Sequence, residues 1–121
     1  MAKILLIEDM PANRALATKL LQADGHDVLS ADTAAGGMAL ARQALPDLVL
    51  LDLGLPDMDG WQALRELRAD HGPVASLRIV AFTAHAMLGD DERARAAGFD
   101  EYLSKPIDFT TFAQTIRGLL P

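Results

Sequence analysis

Five side chains in this 121-residue sequence are of types suited to handling a charged group: Glu8, Asp9, Asp52, Thr83 and Lys105. Three carboxylates held within a few ångströms repel one another, and at least one pKa must rise unless a cation intervenes. Oxygen ligands on short rigid segments suit magnesium, a hard ion that keeps several of its waters. A carboxylate left open beside such an ion can act as a nucleophile toward phosphorus. The incoming phosphoryl group carries negative charge, which a metal and an ammonium such as Lys105 offset. A hydroxyl such as that of Thr83 can donate to one phosphoryl oxygen. This chemistry requires the five residues, drawn from four separate segments, to meet on one rim.

Short apolar runs separated by helical patterns are what must bring them there. Lys3–Glu8 (KILLIE), Leu48–Asp52 (LVLLD) and Arg78–Phe82 (RIVAF) are nearly continuous in aliphatic residues, as strands buried on both faces of a parallel sheet tend to be. His26–Ala31 and Glu101–Ser104 are weaker runs suited to the flanks. Between them, Asn13–Asp24 places Leu16, Leu20 and Leu21 on one helical face and stops at Gly25, with Pro11 in or just before its first turn. Ala34–Ala44 is a second helix, ended by Leu45–Pro46. Its Gly36–Gly37 pair costs about 1 kcal/mol per glycine relative to alanine, so this helix is expected to be the loosest. Asp59–Gly60 opens a third helix carrying Trp61, Leu64 and Leu67. Asp90–Ala97 is a short alanine-rich fourth helix closed by Gly98. Thr110–Leu120 is a fifth, with Phe109, Phe112 and Ile116 on its apolar side.

Strand and helix thus alternate five times, which implies a parallel sheet with helices on both faces. Ligands of such sheets sit at the carboxyl ends of the strands, where strand order reverses. Glu8–Asp9, Asp52, Thr83 and Lys105 all fall at predicted strand ends.

The bulk composition narrows the setting. The length suits a single domain over residues 1–121, able to bury about two-thirds of its unfolded surface. Half the residues are apolar and there is no cysteine, which excludes disulfides and thiolate metal sites. The formal charge of −6, with Lys and Arg scattered singly, disfavours direct contact with nucleic acid or an anionic membrane. No apolar stretch is long enough to cross a bilayer, and the chain is expected in the cytoplasm.

Taken in order, the motifs resemble the receiver domain of two-component response regulators from end to end. The matching elements are Glu8–Asp9, LVLLD ending at Asp52, Leu55–Pro56–Asp57–Met58–Asp59–Gly60, Phe82–Thr83–Ala84 and Ser104–Lys105–Pro106. The resemblance implies a flavodoxin-like (βα)5 fold with strand order 2-1-3-4-5. It also implies a role for each residue. Asp52 is phosphorylated. Asp9 and Asp52 ligate Mg2+ directly, Glu8 through water, and Gly54 through its carbonyl. Lys105 pairs with Asp52 before transfer and with a phosphoryl oxygen after it. Thr83 donates to the phosphoryl group, Ala84 leaves room for a backbone amide, and Lys105–Pro106 is a candidate cis bond. Tyr102 holds the position of an aromatic switch that follows Thr83, and the face of the fourth helix, fifth strand and fifth helix is expected to signal to a downstream protein. The phosphodonor is expected to be a histidine kinase or a histidine phosphotransfer protein. The module accepts phosphate rather than turning over substrate. Both a stand-alone regulator and a receiver segment of a hybrid histidine kinase fit, the initial methionine favouring the first.

Rival readings fit worse. A haloacid-dehalogenase-type phosphatase needs a second aspartate two positions after the nucleophile, where this chain has Gly54. A flavin module needs a phosphate-cradling loop where Glu8–Asp9–Met10–Pro11 stands. Asp57, Asp59, Gly60 and Glu66 mimic a calcium loop, but its first position is Leu55, which cannot ligate. His26 and His71 are expected to be exposed, Trp61 to cover apolar surface. His85, two residues after Thr83, could reach attacking water; Gly54, at the matching position after Asp52, has no side chain to help, which leaves the dephosphorylation rate open.

Overall fold

The aliphatic runs leave no polar face, so each can be satisfied only by burial on both sides, and helices must cover both faces of the sheet they form. The computed structural model describes residues 2–83, 90–105, 108 and 110–121. The elements are β1 (Lys3–Ile7), α1 (Pro11–Ala23), β2 (Asp27–Ala31), α2 (Ala34–Ala44), β3 (Leu48–Asp52), α3 (Gly60–Arg68), β4 (Ile79–Thr83), α4 (Asp90–Ala97), β5 (Glu101–Ser104) and α5 (Phe112–Leu119), with one 3-10 turn at Pro73–Ser76. All five strands are parallel, in the order β2-β1-β3-β4-β5. The fold expected from the sequence is the one observed.

Alternation along each strand divides the core in two. Leu5, Ile7, Val49, Leu51, Ile79 and Ala81 face α2, α3 and α4, meeting Met38, Leu64, Leu67 and Ala94. Ile4, Leu6, Leu48, Leu50, Val80 and Phe82 face the other way, meeting Ala17 and Leu21 of α1 and Phe112 and Ile116 of α5. Strand order reverses between β1 and β3, and their carboxyl ends stand side by side: Ile7 pairs with Leu51, and Asp52 with Phe82 of β4.

Local boundaries follow from capping. α1 starts at Pro11, two residues before the sequence reading, because proline is preorganised for a first turn and lacks the N–H that would go unbonded there. It ends before Gly25, whose φ is 89°. β4 is shifted by one residue to end at Thr83. α5 begins only at Phe112, since Asp108 accepts from the amide and hydroxyl of Thr110 and holds a turn there. Gly37, read from the sequence as a weakness in α2, permits close packing: a Cβ there would lie 2.5 Å from Ile7 Cγ1.

His26 is a correction. It was expected at the surface, but its side chain is only 8% exposed. Nδ1 accepts the Ala2 amide at 3.3 Å and Nε2 lies 3.5 Å from Asp24 Oδ2, so the ring fills the turn between α1 and β2. His71 is exposed, as expected. The expectations for Ala84, His85, the Lys105–Pro106 bond and Phe109 fall outside the described residues.

At the opposite pole from the strand ends that carry the acidic residues, Arg68 closes the structure. Its guanidinium donates to the carbonyls of Gly98, Ala75 and Leu77 and to Asp100 Oδ2, which also accepts the Ile79 amide at 2.7 Å. α4 itself buries only Ala94. Arg95 pairs with Glu101 and Asp91, and Arg93 stacks 4.5 Å from the Trp61 ring, which meets Phe99 edge-on at 5.6 Å. Trp61 covers core apolar surface, as read from the sequence.

Candidate phosphoacceptor and metal site

Glu8 follows β1 directly, and its amide donates to Ala31 O at 3.0 Å, which continues the β1–β2 ladder by one residue. Its side chain turns inward and is fully buried. Asp9 is half-buried beside it. From α1, Arg14 Nη1 reaches back to the carbonyls of Glu8 at 2.9 Å and Asp9 at 3.4 Å, fixing the backbone of the acidic pair. Asp52 ends β3, and its Oδ1 accepts the Gly54 amide at 3.0 Å. Thr83 ends β4 and is buried, with its carbonyl accepting the Lys105 amide at 2.8 Å.

Lys105 reaches across the rim. Its Nζ donates to Glu8 Oε1 and, at 3.3 Å, to Asp52 Oδ2, and it lies 5.1 Å from the Phe82 ring centroid. The side chain is 6% exposed, so its charge is balanced almost wholly by these two carboxylates. Glu8, Asp9 and Asp52 each offer an oxygen within 4.8 Å of the other two.

Burial drives the Glu8 carboxyl up to about 7; Asp52 adds to the rise and Lys105 opposes it. Burial also disfavours the ionised form of Asp52, but hydrogen bonds with Glu8 and the Gly54 amide, together with Lys105, outweigh it and hold Asp52 below the ordinary carboxylate range. One ammonium thus faces more than one carboxylate, and the cost of burying the extra negative charge falls on Glu8 as a raised proton affinity. A hard divalent cation would offset that charge, and an all-oxygen donor set of three carboxylates fits magnesium rather than a softer metal.

The response regulator receiver domain family matches residues 4–117. The chain belongs to that family. Protein PilH of Pseudomonas aeruginosa is 36% identical over 120 residues, covering 99% of this receiver and 98% of PilH. The polar-differentiation response regulator DivK of Brucella ovis is 34% identical over 117 residues, covering 97% and 94%. The structure of the chemotaxis response regulator CheY4 of Vibrio cholerae superposes with a TM-score of 0.90 at 25% identity, covering 99% of both chains.

The receiver brings Glu8, Asp9, Asp52 and Lys105 together as the sequence suggested, with Thr83 at the neighbouring strand end. Lys105 departs from expectation in one respect: it bonds Glu8 as well as Asp52. Tyr102 lies on β5 and packs half-buried on the α4 side of the sheet, its phenol pKa raised by burial and then by Asp90. Asp57 and Asp59, which mimic part of a calcium loop, both bond the starts of helices. Asp59 Oδ1 caps α3 through the Trp61 amide at 2.6 Å, and Asp57 bonds the start of α2. Sequence reading missed Arg14 and Asp57, because contacts with a neighbouring loop leave no periodic trace. No helix among the described residues is long and apolar enough to cross a membrane.

Proposed function

We propose that this receiver takes a phosphoryl group onto Asp52 from a histidine kinase or histidine phosphotransfer protein and that phosphorylation switches its binding to a downstream protein. The observation that carries the reading is the convergence of Asp52, Glu8 and Lys105 at the β1–β3 switch point, with Asp9 beside them. Held ionised, Asp52 is the nucleophile. One of its carboxylate oxygens bonds to phosphorus as the P–N bond of the donor histidine breaks, and the imidazole leaves with the electron pair. Lys105, already within reach of Asp52 Oδ2, shifts toward the phosphoryl oxygens and offsets their charge. The Thr83 hydroxyl donates to another. Glu8, Asp9, Asp52 and the Gly54 carbonyl would hold Mg2+, which when bound neutralises charge developing on the transferring group.

The switch follows from Thr83 and Tyr102, which belong to adjacent strands. Thr83 moving toward the phosphoryl group vacates space for Tyr102, and α4, with one buried residue, is the element most readily repacked. The α4–β5–α5 face is the surface that reads out. PilH and DivK are matched over nearly their whole lengths, which supports reading this receiver as a regulator of their kind, acting in the cytoplasm.

Incubation with Mg2+ and acetyl phosphate, read by intact mass, tests the reading. A gain of one phosphoryl group is expected, absent in Asp52→Asn and strongly reduced without Mg2+. An equal gain in Asp52→Asn places the acceptor elsewhere and overturns the assignment.

A further inference from the structure

The loop from Leu53 to Asp59 carries the Gly54 carbonyl; Leu55 seats it in the core, with Leu53 and Met58 packed alongside, and its hydrogen bonds set the position of its backbone. Asp52 Oδ1 accepts the Gly54 amide at the loop's start, and Gly60 N–H donates to Leu53 O at 3.0 Å at its end. Both bonds are local. Among the described residues, the side-chain hydrogen bonds from the middle of the loop to another element come from Asp57. Its Oδ1 accepts the Ala34 amide at 2.8 Å, and its Oδ2 accepts the Ala35 amide at 3.0 Å.

Those amides are the first two of α2, which have no partner within the helix. The third, that of Gly36, donates to the hydroxyl of Thr33 at 3.1 Å. Capping of α2 is thus divided between a local residue, Thr33, and a carboxylate delivered by the loop after Asp52. The arrangement favours an ionised Asp57, and hydrogen bonds from Ala35 and Ala34 lower its pKa. The other half of the site rests on the same junction, for Glu8 N–H donates to Ala31 O at the end of β2. The acidic pair and the Gly54 loop are both referenced to the β2–α2 connection, one through a main-chain bond and one through Asp57.

We propose that Asp57 is a positioning residue: by bonding the first two amides of α2, it sets the distance between the Gly54 backbone and the Glu8–Asp9 pair, and so tunes cation affinity and phosphoryl acceptance. This rests on the reading of Asp52 and its neighbours given above. Residues that orient ligands without touching the ion change metal affinity by about ten- to a hundredfold when removed.

The control lies in the same helix end. Thr33→Ala removes a cap of α2 and leaves the loop alone, whereas Asp57→Ala removes two caps and the loop's hydrogen bonds to α2. Mg2+ affinity is measured for the wild type, Thr33→Ala, Asp57→Ala and the milder Asp57→Asn by titration followed in amide NMR spectra. Hydrogen exchange at Leu53 and Gly54 is measured in the same proteins without metal. Asp57→Ala is expected to weaken Mg2+ binding about tenfold and speed exchange at Leu53 and Gly54, with Asp57→Asn between it and the wild type. Thr33→Ala is expected to change neither. Equal losses in Thr33→Ala and Asp57→Ala, or unchanged affinity in Asp57→Ala, overturn the proposal and leave Asp57 as a helix cap alone. Should Asp57→Ala not fold, Asp57→Asn against Thr33→Ala decides by the same criteria. Failure of the wild type to bind Mg2+ strikes instead at the function proposed above, and the metal-free exchange rates still test Asp57.

Discussion

Replacing Gly60 by alanine sets two well-defined effects against each other. Gly60 is the first residue of α3, and alanine in a helix is favoured over glycine by up to about 1 kcal/mol. Propensity alone predicts a more stable protein. The structure predicts the opposite. A Cβ at Gly60 would stand 2.6 Å from Leu53 Cα and 2.7 Å from Asp52 O, both main-chain atoms that no rotamer change can clear. Carbon atoms prefer separations of about 3.5–4.0 Å, so either α3 or the end of β3 must move by about 1 Å. Overpacking of this kind costs about 1–3 kcal/mol, and backbone obstruction belongs at the upper end. The net expectation is a loss of about 1–2 kcal/mol, a fall in Tm of roughly 4–10 °C for a domain of this size. Because the obstructed atoms belong to Asp52 and Leu53, phosphorylation by acetyl phosphate should slow as well. Thermal unfolding by circular dichroism and intact-mass kinetics measure the two effects. A Tm equal to or above that of the wild type would refute the reasoning, showing that the loop yields without cost.

Other expectations can be checked on the same samples. The Glu8 carboxyl, raised from 4.5 to about 7, binds a proton in the folded metal-free protein that the unfolded chain has released; this stabilising contribution is fully present below about pH 4.5 and is lost as pH rises through 7. Protons compete with the cation, so Mg2+ should raise Tm more at about pH 8 than at about pH 5.5, and an equal increment at both would exclude Glu8 from the metal site. Lys105→Met removes the ammonium shared by Glu8 and Asp52; acetyl-phosphate labelling should fall by about a hundredfold while Mg2+ binding persists. Gly37→Ala drives a methyl into Ile7, and Tm should drop despite the better helix residue, by about 4–10 °C. Arg93→Ala uncovers one face of Trp61, which should shift the tryptophan emission and lower Tm by no more than about 4 °C.

The layers of the fold were legible because doubly buried strands must be aliphatic throughout: LVLLD could not be read as a half-exposed strand, and it occupies the middle of the sheet. The site was legible for a related reason. Charged residues that close such runs are carried to one rim by the topology, whatever lies between them. What the sequence hid were contacts set by tertiary approach. Nothing in its neighbours reveals that His26 faces inward, because the turn after Gly25 points it at Ala2. Gly37 resembled a weakness until Ile7 was seen against it. Asp57 sits in a loop typical of solvated carboxylates, and only the position of α2 gives it partners. The bond from Lys105 to Glu8 spans almost the whole chain.

The clamp at Arg68 has a mechanical consequence. It grips the carbonyl of Gly98, just past the end of α4, and Asp100, just ahead of β5. So long as those bonds hold, the Ala97 end of α4 stays where it is, and any repacking of the helix must pivot there. Over its eight residues, roughly 12 Å of helix, a pivot of about 10° would carry the Asp90 end about 2 Å and leave the Ala97 end still. A protein that docks at the Asp90 end would then feel the full throw, and one that docks at the Ala97 end almost none.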